Sequence, residues 1–392
     1  MSLRFSQLSA RLDTPAAAVW EVHEQAVQRH ARGEDIIVLS VGDPDFATPE
    51  DITRHTVARM ERGRTHYSPA AGEPVLRQAI AELETSLGGH PFTADRFVVF
   101  PGATATLYAV FACLADPGSE VIVPEPMYAA YQPLMDALGI RIRHVPLRGG
   151  DFALDIGDVL AAVGPDTRAV LVNTPGNPCG NVIPGADLAR LAGECRARDL
   201  WIVCDEVYSL VTFDAPHQSM LRVAAHLDNV VVVDGLSKSH AMSGWRIGWA
   251  AAAPPLVDAL TRVASAAFFG CCQFVQDGAA YALMHDAPDV RAMCDEYRRR
   301  RDYAMARLDA IPQLAYSRPA AGMFLMIDVS RVSPDGAEFA SRLLARGGVA
   351  TLPGAAFGPT AAGYVRMSLT QPVDVLAEVF DRFETVLAGR ST

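Results

Sequence analysis

One residue stands apart in this sequence because of the chemistry its side chain can do. The chain has 34 lysine and arginine residues, and Lys238 is the only lysine among them. An arginine guanidinium stays charged, whereas a lysine amine can lose its proton in a suitable environment and form an imine with a carbonyl group. Lys238 follows the apolar run Val230–Asp234 within Leu236-Ser237-Lys238-Ser239. We therefore predict a reactive role for Lys238, against the alternative of a surface lysine retained by chance.

A carbonyl cofactor such as pyridoxal phosphate needs a phosphate cup, and two parts of the chain offer one. Gly102, Ala103 and Thr104 lie between a predicted strand and a predicted helix. Small residues there let backbone N–H groups approach an anion, which the helix N-terminus also favours. Arg246 lies shortly after Lys238 and could hold a phosphate with its planar fork of donors. The alternative is that residues 102–104 form only a structural turn.

The ring of such a cofactor needs a carboxylate for its nitrogen, a donor for its oxygen and a stacking partner. Asp205 ends an apolar run, so a carboxylate there could keep a pyridine nitrogen protonated. Tyr208 is three residues further on and could share a face with Asp205. Tyr128 follows the predicted strand Glu120–Val123 and could cover a ring. The structural alternatives are a helix-capping Asp205 and a Tyr128 packed in the core.

Short apolar strands alternate with helical patterns along the first two thirds of the chain. This alternation predicts a mainly parallel sheet covered by helices on both faces. In such folds ligands bind beyond the carboxyl ends of the strands, where the residues above lie. The predicted strands are Arg96–Phe100, Glu120–Val123, Ala169–Asn173, Trp201–Cys204 and Val230–Asp234, and the predicted helices include Ala105–Leu114, Tyr128–Leu138 and Gly185–Arg198.

The last third has a different pattern. One long charged helix over Ala287–Asp309 precedes short strands at Met323–Val329 and Tyr364–Leu369 and helices at Ala337–Arg346 and Val373–Leu387. We predict three parts. Residues 1–45 are an N-terminal arm with a helix at 11–32 that packs with the small domain. Residues 46–287 are a large cofactor-binding domain, and residues 288–392 are a small α+β domain.

Composition excludes several classes of function. The net charge of −11 disfavours a nucleic-acid partner, because phosphate binding needs basic surface. The basic run Arg298–Arg301 is interpreted as a solvated helix face. The sequence contains no secretory signal and no apolar run long enough for a membrane span, so no membrane partner is expected. Seven cysteines without a Cys-x-x-Cys pair indicate reduced thiols, a cytoplasmic location and no metal site.

The ordered set of motifs is the most specific signal in the chain. From about residue 16 to residue 382 the sequence resembles the class I and II aminotransferases, which are pyridoxal-phosphate enzymes of fold type I. The resemblance is carried by Val41-Gly42-Asp43-Pro44-Asp45-Phe46, His66-Tyr67, Asp116-Pro117-Gly118, Asn173-Thr174-Pro175-Gly176-Asn177-Pro178, Asp205-Glu206-Val207-Tyr208, Ser237-Lys238, Ser243-Gly244-Trp245-Arg246, Leu352-Pro353-Gly354 and Val365-Arg366-Met367-Ser368.

The resemblance implies an α/β fold: a large domain with a mainly parallel seven-stranded sheet sandwiched by helices, and a smaller α+β C-terminal domain. It also implies ping-pong transfer of an amino group from an L-amino acid to a 2-oxo acid through a Schiff base at Lys238. Tyr67 would reach the phosphate of the neighbouring subunit, which implies a homodimer. Asp205 and Tyr208 would act in catalysis together with Lys238. The implied cofactor-binding residues are Gly102, Ala103, Thr104, Tyr128, Asn177, Ser237 and Arg246. The implied substrate-binding residues are Gly42, Asn177, Arg366 and Trp20.

The chain departs from the family pattern at three places. Gly235 stands where many relatives have a serine, Ala103 stands where many have glycine, and residues 266–272 replace a polar run. We expect the last segment to approach an active site, that of the same subunit or its neighbour. Phrases such as Glu125-Pro126-Met127-Tyr128 resemble the subgroup of arginine–pyruvate aminotransferases. An arginine side chain would need a carboxylate or an aromatic face, for which Trp20, Glu21 and Asp277 are candidates.

Three alternative functions remain open from the sequence. A β-lyase or decarboxylase would use the same cofactor and the same first steps. An aminotransferase of the aspartate or aromatic type would differ only in its substrate. A non-enzymatic effector-binding domain is the third, although no helix-turn-helix segment is found. The Gly-x-Gly-x-x-Gly fingerprint of nicotinamide dehydrogenases is absent.

Overall fold

The computed structural model describes residues 5–12, 20–88, 90–285 and 288–389. Its α-helices are α1 (Gln7–Leu12), α2 (Glu21–Ala31), α3 (Glu50–Glu61), α4 (Pro74–Ser86), α5 (Ala103–Leu114), α6 (Tyr131–Leu138), α7 (Ile156–Ala161), α8 (Gly185–Arg196), α9 (Met220–Val223), α10 (Pro254–Ala267), α11 (Gln273–Met284), α12 (Pro288–Asp309), α13 (Gly336–Gly347) and α14 (Val373–Leu387). Its strands are β1 (Ile37–Val38), β2 (Phe97–Phe100), β3 (Glu120–Glu125), β4 (Arg141–Pro146), β5 (Thr167–Asn173), β6 (Trp201–Asp205), β7 (Val230–Gly235), β8 (Gly248–Ala251), β9 (Ala315–Tyr316), β10 (Phe324–Asp328), β11 (Val349–Ala350), β12 (Leu352–Pro353) and β13 (Tyr364–Ser368).

Seven strands form the large sheet in the order β2-β8-β7-β6-β5-β3-β4. All neighbouring strands in it are parallel except β8, which runs antiparallel to both β2 and β7. Side chains of a strand alternate between the two faces of the sheet. In β7, accordingly, Val230 and Val232 join the core on one face, and Val231 and Val233 join the core on the other. The structure therefore confirms the predicted α/β fold with its mainly parallel sheet.

All five strands predicted for the large sheet are present within a few residues of the predicted bounds, but the sequence analysis missed β4 and β8 of this sheet. Strand β4 is an edge strand whose residues are mostly exposed, so it lacks the apolar run of a buried strand. Strand β8 has the sequence Gly-Trp-Ala-Ala, which carries little strand signal. Pattern reasoning thus finds the central strands of the sheet more readily than short or edge strands.

The carboxyl ends of the central strands bring the candidate residues together. Asn173 at the end of β5 pairs in register with Asp205 at the end of β6. Strand β7 lies beside β6 and ends at Gly235, three residues before Lys238. The N-terminus of α5 follows β2, on the other side of β8. The sheet therefore presents the predicted chemistry at one edge.

A second sheet has the order β12-β13-β10-β9, with every pair antiparallel. Strand β1 pairs separately with β11. Val22 and Ala26 of α2 belong to the same core as α12, α13 and α14. Tyr208, Val211 and Phe213, which follow β6, also enter this core. The division into residues 1–45, 46–287 and 288–392 stays a prediction, because this core joins all three ranges.

The N-terminal helix predicted over residues 11–32 falls partly outside the described residues, because 13–19 are not among them. On either side of that gap the structure has α1 and α2. Arg11 of α1 donates hydrogen bonds to the carbonyl oxygens of Asp136 and Ala137 at the end of α6, at 2.7 and 2.8 Å. Trp20 directly precedes α2.

The interpretation of Arg298–Arg301 as a solvated helix face was wrong for half of the run. Successive residues of an α-helix point about 100° apart, so four in a row cannot share one face. Arg300 and Arg301 are buried in α12 at 3% and 1% exposure. Arg300 binds both carboxylate oxygens of Asp45, at 2.8 and 2.9 Å, and Arg301 binds Asp214 at 2.9 Å.

In the described part of the chain, no helix is both long enough and apolar enough to cross a membrane. All seven cysteines are free thiols in the structure. Burial raises the pKa of Cys195 and of Cys271 to about 12 in each case, so both thiols stay protonated near neutral pH.

Candidate active site

The candidate site is a cavity of about 230 Å³ beyond the carboxyl ends of β5, β6 and β7. Its position agrees with the expected location of ligands in a parallel sheet. Four of the predicted residues, Glu21, Tyr67, Gly102 and Asp277, do not line it. The predicted residues that do line the cavity are Trp20, Gly42, Ala103, Thr104, Tyr128, Asn177, Asp205, Tyr208, Ser237, Lys238, Arg246 and Arg366.

Lys238 presents its amine to this cavity. Its Nζ donates a hydrogen bond of 2.7 Å to the carbonyl oxygen of Gly42. Burial lowers the pKa of Lys238. The negative charge of Asp43 acts in the opposite direction, and the positive charge of Arg366 lowers this pKa further. A lowered pKa makes a larger fraction of the amine neutral, which is the nucleophilic form.

Gly42 owes its identity to the close approach of another side chain. A Cβ atom at this position would overlap the ring of Phe324. The backbone of Gly42 can therefore reach Lys238 only as glycine, because any side chain would displace Phe324 from the cavity wall. The turn between β1 and α3 therefore contributes a backbone carbonyl group at residue 42, and no side chain, to the surroundings of Lys238.

Asp205 is buried at the end of β6, at 3% exposure. The hydroxyl of Tyr131 donates a hydrogen bond of 2.6 Å to its Oδ2, and the backbone N–H of Val207 donates one of 3.3 Å to its Oδ1. Burial raises the pKa of Asp205 to about 6, even though both hydrogen bonds act in the opposite direction. A cation beside this carboxylate would offset the cost of its burial, so the position favours a protonated ring nitrogen.

Tyr131 and Asn173 are positioning residues that the sequence analysis missed. The side-chain amide of Asn173 donates to the backbone oxygen of Asp205 at 2.9 Å and accepts from the backbone N–H of Asn177 at 2.7 Å. Asn173 thus fixes two predicted site residues relative to each other. The available signals were the position of Asn173 at the end of a predicted strand and the helical spacing of Tyr131 from Tyr128.

Arg366 lies in β13, which belongs to the second sheet, and is 3% exposed. Its Nη1 donates to Oδ1 of Asn177 at 3.0 Å, and its Nη2 donates to the backbone oxygen of Ser40 at 2.6 Å. Burial lowers the pKa of Arg366 to about 10, so it stays charged at neutral pH.

The charge of Arg366 is not neutralised by a carboxylate among the described residues, and its Nε atom has no hydrogen-bond partner there. The guanidinium lies over the rings of Phe324 and Phe357, at 4.0 and 4.7 Å from their centroids. A buried cation without a counter-ion is costly unless a ligand supplies one. This arrangement favours binding of a carboxylate.

A second group of residues that could bind an anion lies at the N-terminus of α5. Gly102 precedes the helix with φ +92°, and a Cβ there would run into the guanidinium of Arg246. Arg246 donates to the backbone oxygens of Ser243 and Pro101, at 2.8 and 3.5 Å. No carboxylate within the described ranges forms an ion pair with it. A helix N-terminus beside an arginine whose charge is not paired with one of these carboxylates suits a phosphate group.

The structure supplies a reason for the glycine at position 235, where the family resemblance led us to expect a serine. A Cβ at Gly235 would lie 2.8 Å from the backbone oxygen of Ile247, which leads into the antiparallel strand β8. The backbone of this neighbouring strand therefore excludes a side chain. The remaining hydroxyl groups near Arg246 belong to Thr104, Ser237 and Ser243, which all line the cavity.

Tyr128 and Tyr208 complete the polar lining. Burial raises the pKa of both phenols, and the negative charge of Asp205 adds to this effect. Both therefore remain protonated and able to donate a hydrogen bond at neutral pH. Tyr128 packs edge to face against Tyr131, with ring centroids 5.4 Å apart.

Phe324 also lines the cavity, and the sequence analysis did not predict this, because an apolar residue in a strand carries no functional signal.

Three predicted residues lie elsewhere. Tyr67 is 82% exposed and packs edge to face on Phe269, away from the cavity of its own subunit. Asp277 was proposed to bind a substrate guanidinium, and this was wrong within one subunit, because its carboxylate already accepts hydrogen bonds from Arg59 and Arg64. Glu21 is exposed and accepts a hydrogen bond from Gln25 at 3.0 Å, while its neighbour Trp20 does line the cavity.

The segment 266–272 does not line the cavity of its own subunit either. It connects α10 to α11, and Phe269 within it has φ +55° and is 60% exposed. Its contact with Tyr67 puts both aromatic rings on the same exposed side of the protein. The expectation that this segment approaches a neighbouring subunit stays a prediction.

Comparison with known proteins adds independent information. The family model for aminotransferases of class I and II matches residues 34–383. Arginine–pyruvate transaminase AruH of Pseudomonas aeruginosa is 41% identical over 381 residues, which cover 97% of each chain. The aspartate/prephenate aminotransferase of Thermus thermophilus is 33% identical over 96% of this chain and 97% of that protein.

A solved structure agrees closely with the fold. A tetra mutant of Thermus thermophilus aspartate aminotransferase complexed with tryptophan superimposes with a TM-score of 0.93. It is 32% identical in sequence, and the alignment covers 98% of this chain and 100% of that chain.

Proposed function

Because the chain belongs to the class I and II aminotransferases, we propose that it uses pyridoxal 5′-phosphate to move the amino group of arginine to pyruvate. Enzymes of this family transfer an amino group between an amino acid and a 2-oxo acid, and this chain is an aminotransferase. The observation that carries the proposed chemistry is one shared cavity. In it, the amine of Lys238 faces the same space as the uncompensated guanidinium of Arg366.

The residues of the cavity fit the cofactor. Arg246 and the N-terminus of α5 would hold its phosphate, with hydroxyl groups from Thr104 and Ser237. Asp205 would hold the protonated ring nitrogen, and a cation there would offset the burial of this carboxylate. Tyr128 would cover one face of the ring, and Tyr208 and Asn177 would bind the ring oxygen.

When bound, the cofactor supplies an aldehyde that condenses with amines and a ring that withdraws electrons from the substrate α-carbon. The protein supplies the proton transfer. Lys238 has a lowered pKa, so its Nζ can accept the α-proton as a free base and release it again. The hydrogen bond to the Gly42 oxygen fixes the direction of the amine within the cavity.

Arg366 would orient the substrate by its α-carboxylate. Asn177 and the Ser40 carbonyl hold the guanidinium from one side, and Phe324 and Phe357 limit its movement from the faces. A guanidinium held in this way attracts a carboxylate by its charge and orients it by the geometry of its hydrogen bonds. The α-hydrogen is thereby presented to Lys238 in a fixed geometry, which is a large part of any enzymatic acceleration.

The choice of arginine and pyruvate rests on the relative that is 41% identical, since the aspartate/prephenate enzyme is more distant at 33%. Trp20 is the candidate for contact with the substrate side chain, because it lines the cavity and an aromatic face attracts a guanidinium. An aspartate-type substrate is the alternative within the family, and a β-lyase reaction is the alternative on the same cofactor.

We further propose a cytoplasmic homodimer in which Tyr67 contacts the cofactor phosphate of the partner subunit. The exposure of Tyr67 supports this, because its ring does not line the cavity of its own subunit. Apolar side chains exposed nearby, including Val57, Met60 and Phe269, are consistent with an interface between copies.

The visible absorption spectrum of the purified protein with added pyridoxal 5′-phosphate tests the proposal. We expect a yellow band that L-arginine bleaches and that aspartate, alanine and aromatic amino acids bleach more slowly. Lys238→Ala is the matched variant, and it should lose transamination by at least about a thousandfold because no other lysine can replace it. Lys238→Arg should be equally inactive, because it keeps the charge but not the amine.

The outcomes separate the parts of the proposal. A band that only aspartate bleaches would reject arginine and retain the aminotransferase. Release of ammonia and pyruvate from cysteine conjugates would indicate a lyase. Normal turnover by Lys238→Ala would reject the assignment of Lys238.

A further inference from the structure

The loop between α3 and α4 exposes Tyr67 while its flanking residues are held tightly. The ring of Tyr67 is 82% exposed, whereas Ser68 beside it is 9% exposed. An exposed tyrosine in a loose loop would have many orientations. The contacts around this loop suggest that the orientation of Tyr67 is set by the protein.

A largely buried chain of four side chains leads to the backbone next to Tyr67. Arg64 donates from Nε and Nη2 to the two carboxylate oxygens of Asp277, at 2.8 and 3.0 Å. The same Nη2 donates to Glu73 at 2.6 Å. Gln273 donates to the other oxygen of Glu73 at 2.9 Å and accepts from the backbone N–H of His66 at 3.1 Å.

The charges in this chain are balanced, which makes it a stable anchor. Two arginines, Arg59 and Arg64, face two carboxylates, Asp277 and Glu73. Burial raises the pKa of Asp277, but the hydrogen bonds from Arg64 and Arg59 outweigh it, and the net shift is downward. Asp277 therefore stays ionised, and the two-pronged contact with Arg64 fixes the direction of that guanidinium.

The other side of the loop is held by the segment after α10. The backbone N–H of Cys271 donates to the hydroxyl of Ser68 at 3.2 Å. Gly270 has φ +94°, and a Cβ there would lie 3.0 Å from the backbone oxygen of Ser68. The loop is thus held by a hydrogen bond to the backbone of His66 and by one to the hydroxyl of Ser68, on either side of the exposed Tyr67.

We propose that the chain Asp277–Arg64–Glu73–Gln273 is a positioning device that aims Tyr67 at the cofactor phosphate of the partner subunit. This inference rests on the proposed function, in which Tyr67 serves the neighbouring site. Gln273 is the critical link, because it is the member that contacts the backbone of the Tyr67 loop. Residues inside the fold of one subunit would thereby influence how tightly the partner subunit binds its cofactor.

A double-mutant cycle on cofactor affinity tests this inference. Gln273→Met removes both hydrogen bonds of the link and leaves the four charges paired. Tyr67→Phe removes the phenolic hydroxyl alone. The dissociation constant of pyridoxal 5′-phosphate is measured for the cofactor-stripped proteins by fluorescence and absorption titration. Gln78→Met is the control, because Gln78 also donates to a glutamate, Glu82, but on the exposed face of α4.

We expect Tyr67→Phe to raise the dissociation constant about tenfold, as for the loss of one hydrogen bond to a charged group. Gln273→Met should raise it about three- to tenfold, and Gln78→Met should leave it unchanged. In the Tyr67→Phe background, Gln273→Met should change it by less than about twofold, because both changes remove the same contact.

Equal effects of Gln273→Met with and without the Tyr67 hydroxyl would overturn the inference and indicate a general structural role. So would wild-type affinity in Gln273→Met itself. An unchanged affinity in Tyr67→Phe would overturn both this inference and the contact of Tyr67 with the partner, while cofactor binding at Lys238 would stand. Failure of the wild-type protein to bind the cofactor would reject the proposed function instead. Asp277→Asn, which breaks the far end of the chain, should show the same dependence on Tyr67 as Gln273→Met.

Discussion

Lys238 and Asp205 are buried ionisable groups whose pKa values move in opposite directions for the same reason. Burial disfavours charge, so it lowers the pKa of the Lys238 amine and raises that of the Asp205 carboxyl to about 6. For Lys238 the shift produces the free amine that chemistry needs. For Asp205 the shift means that the ionised carboxylate is energetically unfavourable in the folded protein, and a bound cation would offset this effect.

The cost at Asp205 should be measurable as stability. The folded-state pKa of about 6 lies above the ordinary value of 3.8, so the penalty is absent below pH 3.8 and complete above pH 6. Asp205→Asn should therefore raise the free energy of unfolding of the cofactor-free protein, by at most ~3 kcal/mol at pH 7.5. Denaturant titrations at pH 7.5 and pH 4 would measure it, and the gain should shrink at pH 4.

Asp228→Asn is the matched control for this experiment. Asp228 is an exposed partner of Arg196, and their hydrogen bond lowers the pKa of Asp228. Its replacement should leave the stability unchanged or slightly lower. A lower stability for Asp205→Asn at pH 7.5 would mean that its hydrogen bonds outweigh its burial.

Arg366→Ala should raise KM for every amino donor by a similar factor, because all donors share the α-carboxylate. The loss of a buried charge pair is worth ~2–4 kcal/mol, or roughly 30- to 1000-fold. Arg366→Lys keeps the charge without the fork and should fall between the wild type and Arg366→Ala. Steady-state kinetics with arginine, alanine and aspartate would test this. A loss limited to one class of side chain would show that Arg366 contacts the substrate side chain instead.

At this scale, sequence reasoning identified the residues with distinctive chemistry and missed those that support them. Lys238 was recognised as the only lysine, and Arg366 by its motif. Tyr131, Asn173 and Phe324 act through contacts with other residues, and such contacts exist only after folding. Within its own subunit Asp277 was misassigned for the same reason, because the sequence does not reveal that Arg59 and Arg64 already bind it.

At the scale of elements, the ends of three neighbouring strands explain why the site forms. The mainly apolar strands β5, β6 and β7 were predictable because buried parallel strands are continuous apolar runs. Strands β4 and β8 were not predictable, and β8 matters for the site because it approaches β7 in the antiparallel direction. Its backbone determines that position 235 is a glycine.

Gly235→Ala should therefore destabilise the protein by about 1–3 kcal/mol, because the added Cβ meets the Ile247 oxygen and the backbone cannot easily move. Gly193→Ala is the control. A Cβ added at Gly193 in α8 would have no other atom within 4 Å, so alanine should stabilise that helix by up to ~1 kcal/mol. Thermal unfolding of the two variants should shift in opposite directions. A neutral Gly235→Ala would mean that β7 and β8 separate readily.

At the scale of the whole molecule, the site combines parts that are far apart in the sequence. Trp20 and Gly42 come from the N-terminal region, Arg366 comes from the second sheet, and the remaining residues come mainly from the ends of the large sheet. The core that joins α2 to α12, α13 and α14 includes Tyr208. Sequence patterns suggested a separate small domain, but they could not show that Tyr208 of the active site is packed within its core.

The proposed dimer makes a prediction about mixed subunits. We expect Lys238→Ala and Tyr67→Phe each to be impaired, but a hybrid dimer would contain one site with both Lys238 and a Tyr67 from the other subunit. When Tyr67→Phe is mixed with an excess of Lys238→Ala, the activity, counted per Lys238 residue, should therefore rise toward the wild-type value. An excess of the variant that carries both substitutions should not raise it. No recovery, in a mixture that sedimentation shows to contain dimers, would mean that Tyr67 does not serve the partner.

The single lysine has a practical consequence for chemical work on this protein. Reagents that acylate or reductively alkylate ε-amino groups have one such target in the whole chain, and it lies in the cavity with its amine hydrogen-bonded to Gly42. The extent of dye labelling at Lys238 itself, measured apart from labelling of the α-amino group, would therefore report on occupancy of the cavity, since a bound substrate would shield this amine. A protease specific for lysine would likewise cut the unfolded chain once, after residue 238, and so separate β7 from β8.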